Sequence, residues 1–228
     1  MAKYLVGSPD AEHFIDLAVL ESGTKAMLGD PTKIGSAVGP EIVHAHMALR
    51  EGARKVAALV ADPTRTDVAK HEAAKKVAGE VTDKLRKAKS AIEARANQLR
   101  ADALRAAECE FGPKPDRAGL HTEVRTWLRE QARQPDGLET IRKAMAENDD
   151  LASVVYHSPT FLTGLPKSTH ETLRLDALEA RRPAIYGMIS AAHDLDELAP
   201  KYDKAISKVT LFFYNPEMAN QANKRVEV

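Results

Sequence analysis

The sequence predicts an all-α fold, an elongated helical bundle built around one long alanine-rich helix. Alanine, the residue that costs least in a helix, occurs 37 times in 228 residues, whereas aromatic residues make up only 5%. Apolar residues recur at steps of three and four, the spacing of one face of a helix. Proline and glycine are concentrated where these runs stop. Together these observations favour helices packed on helices.

The first two helices follow from their start and stop signals. The serine–proline pair at residues 8–9 is a capping hydroxyl before proline in the first turn, and it predicts a helix that stops near Gly23. The glycine- and proline-rich residues 29–40 are typical of a loop. Pro40 then opens an amphipathic helix that ends at Pro63.

The long helix is predicted over residues 66–111, which contain no proline and one glycine, Gly79. Nine apolar residues follow one another there in a pattern that repeats every eleven residues, about 3.67 per turn. This alanine stripe consists of Val77, Val81, Leu85, Ala88, Ile92, Ala96, Leu99, Ala103 and Ala107. Its larger members would supply buried area and its alanines would allow close approach of other helices. At 1.5 Å per residue such a helix is about 67 Å long, so it either extends beyond a compact body or bends near Gly79, and we expect an elongated molecule.

Pro113 and Pro115 break the long helix and suggest a boundary. We therefore expect N-terminal helices with the long helix in residues 1–111, a C-terminal helical lobe in 112–215 and a polar tail in 216–228.

The C-terminal lobe is predicted to contain several shorter helices. One lies near residues 122–133, and the next spans 138–155 with a polar interruption. Pro183 breaks or kinks a later helix, and the last one begins near Pro200. The alternative for residues 209–214, "VTLFFY", is a short strand beside "KYLV" at the N-terminus.

The segment 158–174, "SPTFLTGLPKSTHETLR", is predicted to be a corner between helices. It is not a phosphate-binding loop, because its lysine does not follow a glycine in the required spacing. Ser158 can start one helical turn that Gly164 ends in the left-handed conformation. Ser168 and Glu171 have the spacing of a capping box. The apolar side chains expected to plug the space between the flanking helices are Phe161, Leu162 and Leu165.

Composition excludes several classes of protein. Basic and acidic residues are equal, at 33 each, so there is no net charge to attract nucleic acid or an acidic membrane. The single cysteine, Cys109, excludes an intrachain disulfide and indicates a reducing compartment. No apolar run approaches 18 residues, and the N-terminus lacks the pattern of a signal peptide, so no membrane-spanning segment is expected.

No residue is predicted to be catalytic, to bind a cofactor or to bind a metal, and we expect a protein that is not an enzyme. His44 and His46 point to different faces of a helix and cannot chelate together. Cys109 could act as a nucleophile only if folding brought His121 or His157 near, and a small apolar filler is the more common role.

A local surplus of positive charge remains along residues 70–105, which contain ten basic and five acidic residues. These side chains could contact phosphates without sequence preference. Aromatic residues that would stack on bases are absent there, so base-specific recognition is not expected. The alternative is a solvated helix face.

Residues 147–209 resemble a pattern of uncharacterised helical, virion-associated proteins of tailed phages and prophages. The match covers about a quarter of the chain and rests on "ENDDLASVVYHSP", the corner S-P-x-F-L-x-G-L and "STHETLRLDALEARRP". The resemblance implies a structural or assembly role in the virion, assembled in the host cytoplasm, and it supplies no catalytic residues. We therefore expect a homo-oligomer or a partner of other virion proteins. The alternatives are an internal, ejected phage protein that contacts DNA through the basic helix, and an enzyme with an unrecognised helical site.

Overall fold

A computed structural model describes residues 3–34 and 38–221, and it confirms the all-α class. The described residues contain eleven α-helices and no strand. The helices are α1 (Pro9–Ala18), α2 (Glu21–Leu28), α3 (Gly39–Ala61), α4 (Asp67–Phe111), α5 (Ala118–Gln131), α6 (Gly137–Glu147), α7 (Asp149–His157), α8 (Thr160–Thr163), α9 (Lys167–Arg181), α10 (Pro183–Phe212) and α11 (Pro216–Gln221). Two short 3-10 turns, Pro31–Lys33 and Pro115–Arg117, precede α3 and α5. Over this part of the chain, none of the helices combines the length and apolar character needed to cross a membrane.

The predicted long helix is confirmed, because α4 runs for 45 residues without interruption. Seven members of the alanine stripe are buried: Val81, Leu85, Ala88, Ile92, Ala96, Ala103 and Ala107. Val77 and Leu99 are half-buried. The stripe is therefore covered by the chain itself and forms part of its core.

The chain divides into two compact units, which differ from the predicted parts. The first unit comprises Met1–Ala96 and Asp194–Val228, and the second comprises Asn97–His193. The prolines after Phe111 do end α4, as expected. However, the last turns of α4 pack into the core of the second unit, through Ala103, Ala107 and Phe111. A proline ends a helix, but it does not decide which core the helix joins.

In the first unit, α1, α2 and α3 pack against one another. Close packing is clearest at Gly52 of α3, where a Cβ atom would lie 2.4 Å from Val81 Cγ2 and 3.3 Å from Phe213 Cε2. Phe14 of α1 contacts the same region, with its ring 6.3 Å from that of Phe213. Only a glycine leaves α3 room at this point.

Several boundaries in the first unit differ from the predictions. The first helix stops at Ala18, and Gly23 lies inside α2 rather than at the end of α1. Pro200, predicted to begin the last helix, lies inside the 30-residue α10. Its missing N–H removes one backbone hydrogen bond, but a helix with a buried face tolerates this loss. The alternative of a strand at residues 209–214 is wrong, because α10 continues to Phe212.

The prediction of a polar tail over residues 216–228 is wrong for residues 216–221. Residues 216–221 form α11, whose first N–H groups donate to Oδ1 of Asn215. Lys75 on α4 donates to Oδ1 of Asn220 at 2.9 Å, and Ala219 is buried. Residues 222–228 lie outside the described residues.

The second unit packs helices α5 to α9 around a core that includes Leu128, Ile141, Met145, Leu173 and Leu178. Helices α7 and α9 are neighbours, and α6 lies against both. The predicted helix over residues 138–155 is two helices, because the side chain of Asn148 accepts from the N–H of Leu151 and begins α7.

Candidate interaction surface

The corner is the one-turn helix α8 with the residues that join it to α7 and α9. As predicted, Gly164 ends α8 in the left-handed conformation, with φ of 72°. The guanidinium of Arg129 on α5 donates from Nη1 to the carbonyl oxygen of Leu162 at 3.1 Å. Thr163 Oγ1 donates to the carbonyl oxygen of Thr160 at 2.8 Å. The corner is thus a fixed turn held against α5.

Three of the roles predicted for the corner are wrong, and the first is that of Phe161. Phe161 does not plug the space between helices, because 80% of its surface is exposed. Leu165 is buried and Leu162 is half-buried, so only these two serve the predicted purpose. With Thr163 and Leu165 buried, the opposite side of this one-turn helix, which carries Phe161, faces solvent.

The capping box is not formed either. Helix α9 begins at Lys167 with Pro166 at its N-cap, which places Ser168 in the first turn. Glu171 instead lies 3.9 Å from the ammonium of Lys167. Ser158 is buried at the end of α7, and its hydroxyl caps neither neighbouring helix.

In the same unit, α5, α6 and α7 surround an open groove of about 500 Å³, a volume in the range of ligand-binding clefts. We call it the Trp127 groove. Its apolar lining is Val124, Trp127, Ala144 and Leu151, and its polar lining is Glu123, Thr126, Glu130 and Asn148. Trp127 is the only tryptophan in the chain and is half-buried. The two glutamates give the groove an acidic edge.

The corner and the groove share helix α5. Arg129 donates from Nη1 to the corner and from Nη2 to Oγ1 of Thr126, at 2.9 Å, and Thr126 lines the groove. Helix α5 therefore both lines the groove and holds the corner that carries the exposed Phe161 ring. We take the corner and the groove together as the candidate site.

Sequence reasoning missed the groove. It predicted a helix near residues 122–133, which carries Val124, Trp127 and Leu128, and gave none of the three a role at a site. The structure buries Leu128 and leaves the other two at the groove. The only available signal was a lone tryptophan in a chain with few aromatic residues.

A pair of histidines lies elsewhere in the second unit. The rings of His121 and His157 are 5.4 Å apart, and Nδ1 of His157 lies 3.4 Å from Oγ of Ser153. Burial lowers the pKa of His157, and the neighbouring His121 lowers it further. Ser153 donates its proton to the carbonyl oxygen of Phe111 at 2.9 Å, rather than to the imidazole. This is the arrangement of a structural hydrogen bond, not of an activated nucleophile.

The other candidates for chemistry are dispersed. Cys109 is exposed, and among the described residues no hydrogen bond joins its thiol to His121 or His157. His44 is exposed while His46 is buried, which confirms that they lie on different faces. Burial lowers the pKa of His46 to about 4. Over residues 3–34 and 38–221, no cluster of three or more metal-ligating side chains is found.

The basic surplus on α4 is partly engaged by acidic groups. The ion pairs include Glu72–Lys76, Asp83–Arg86, Lys89–Glu93, Lys89–Asp203 and Asp102–Arg105. Lys84 and Lys87 are exposed, and in the described part of the chain neither has an ion-pair partner. The charge left for a phosphate backbone is therefore smaller than the sequence count suggests.

Comparison of the chain with protein-family models, with curated proteins and with solved structures finds no match.

Proposed function

We propose that this protein is a structural or assembly component that acts by packing its helical surface against other proteins. The observation that carries the proposal is the exposed Phe161 ring, held on a fixed corner that packs against α5, the helix that also lines the Trp127 groove. Burying exposed apolar surface on association is favourable, so contiguous apolar surface and apolar grooves mark interaction sites. Aromatic residues in particular dominate the energy of protein interfaces.

The setting we propose is the virion of a tailed phage, where the chain would bind copies of itself or other virion proteins. The support is the resemblance of residues 147–209 described above. The alanine stripe is already buried within the chain, so partners would meet the second unit through the groove and corner.

Native mass spectrometry of the purified chain tests this proposal, alone and mixed with candidate capsid or portal proteins. We expect an oligomer, or a stable complex with one of these proteins. A chain that stays monomeric at all concentrations, and binds none of them, would overturn the proposal.

The second candidate is an internal phage protein that contacts DNA through α4. The exposed Lys84 and Lys87 favour it, because they are neighbours on one helix face and lack ion-pair partners among the described residues. Retention on immobilised duplex DNA should then fall steeply with salt. Replacing both lysines with glutamate should abolish retention, and no retention at low salt would remove this candidate.

A further inference from the structure

We infer that the partner of the candidate surface is a second copy of this chain, with the Phe161 ring of each copy entering the Trp127 groove of the other. This inference rests on the proposed function, because it names the partner and the contact through which assembly takes place.

The inserting group is prepared for binding. Phe161 is 80% exposed, and the corner that carries it is fixed by Arg129 and by the left-handed Gly164. Thr160 adds a contact to the buried His170, with Oγ1 of the threonine 3.3 Å from Nδ1 of the imidazole. Because the backbone is already ordered, binding would lose little conformational entropy beyond that of one side chain.

The receiving groove matches an aromatic ring in size and chemistry. Its volume of about 500 Å³ leaves room for a phenyl group, and its lining includes Val124, Leu151 and the indole of Trp127. Aromatic pairs contribute roughly 0.5 to 1.5 kcal/mol beyond the area that they bury. The groove is not filled by the ring of its own chain, because that ring is exposed.

The residue that follows the corner and the edge of the Trp127 groove carry opposite charges. Lys167 follows the corner, and its side chain is 83% exposed with only a long 3.9 Å contact to Glu171. The groove carries Glu123 and Glu130, both exposed. The lysine that begins the helix after the inserted ring of one copy would thus meet carboxylates at the groove of the other, an arrangement that favours correct pairing.

The corner that carries the ring and the groove both contact α5, which favours a two-fold arrangement. In a two-fold interface the same patch on each copy must contain both complementary elements. Arg129 of α5 holds the corner, and Thr126, which accepts from the same guanidinium, lines the groove, so one helix joins the two elements. Two reciprocal contacts then form in a single closed dimer.

The test measures the mass of the full chain by sedimentation equilibrium over a range of concentrations, with the fluorescence of Trp127 as a second readout. Wild-type protein should dimerise, and the emission of its only tryptophan should shift to the blue as a ring covers it. Phe161→Ser should raise the dissociation constant about tenfold or more and remove the shift. Leu211→Ser is the matched control, because Leu211 is also a largely exposed apolar residue but lies in the first unit, and it should leave both readouts unchanged.

A charge exchange tests the orientation. Glu130→Lys and Lys167→Glu should each weaken the dimer about twofold to fivefold, and the double variant should recover most of the loss. Failure of the double variant to recover would overturn the reciprocal arrangement.

The outcomes separate this inference from the proposed function. An oligomer that is insensitive to Phe161→Ser overturns the inference and leaves the assembly role standing. A monomer that binds a virion protein does the same. A monomer with no partner overturns both.

Discussion

The alanine stripe of α4 and the segment 158–174 that contains the corner were both predicted in detail from the sequence, and the structure agrees with the first prediction far better than with the second. Every member of the stripe is buried or half-buried. At the corner, Gly164 has its predicted conformation, but Phe161 faces solvent and the capping box is absent. A long helix fixes the relative directions of its side chains by its own geometry, so one periodic pattern predicts that all nine residues lie on the same face. A corner has no such period, and each residue there depends on its neighbours in space.

The largest effect is expected from a charge placed in the stripe. Ile92 is 1% exposed, so Ile92→Asp would bury a carboxylate without a partner and should cost at least about 4 kcal/mol, enough to unfold or prevent assembly of the chain. Thermal melting followed by circular dichroism measures this. Ser90→Asp places the same group on an exposed position of α4 and should change little. Unchanged melting of the Ile92 variant would show that the stripe is not a core.

A smaller loss of stability is expected from enlarging a side chain of the stripe without adding charge. Ala88 is fully buried, so Ala88→Leu should force helices apart and cost about 1–3 kcal/mol in the free energy of unfolding. Ala94→Leu on the exposed face of the same helix is the control and should be close to neutral. Urea denaturation distinguishes the two. Equal stability of both variants would contradict the close approach that we assign to the stripe.

At the corner, replacing the left-handed Gly164 with alanine should lower the free energy of unfolding by about 1–2 kcal/mol. Gly164→Ala would place a Cβ atom in a strained conformation, 3.1 Å from Cγ and 3.4 Å from Cα of Arg129. Gly187 in α10 provides the opposite case, because a Cβ atom added there would meet nothing within 4 Å. Gly187→Ala should stabilise the chain by up to about 1 kcal/mol, because alanine is the better helix former. If both substitutions shift the urea midpoint in the same direction, the corner is not fixed as described.

The smallest change in stability is expected from removing the hydroxyl of Ser168, which was wrongly predicted to form a capping box. Ser8 caps α1, with its Oγ accepting from the N–H of Ala11 at 3.2 Å, and Ser8→Ala should cost about 1 kcal/mol. Ser168 is exposed in the first turn of α9 and caps nothing, so Ser168→Ala should change stability by less than about 0.5 kcal/mol. If Ser168→Ala lowers the free energy of unfolding as much as Ser8→Ala does, the capping box is formed after all.

Long regular elements were the easiest part of the fold to predict. The limits of α4 lie within one residue of those predicted, because a run without proline ends at a glycine and a proline. Pro200 shows the limit of such reasoning, since packing on both sides of it keeps α10 continuous. The candidate site was predicted only in part: the corner was located, but the groove was not.

The sequence by itself determined the helical class, the length of α4, the residues of its stripe and the left-handed turn at Gly164. Each of these depends on contacts between residues close in the chain, or on the intrinsic preferences of alanine, glycine and proline. Only the tertiary structure decided that Phe161 points outwards, that Trp127 lines a groove and that the chain divides within α4 and α10. These features depend on which helices pack together. A local pattern shows that a helix has an apolar face, but not what will cover that face.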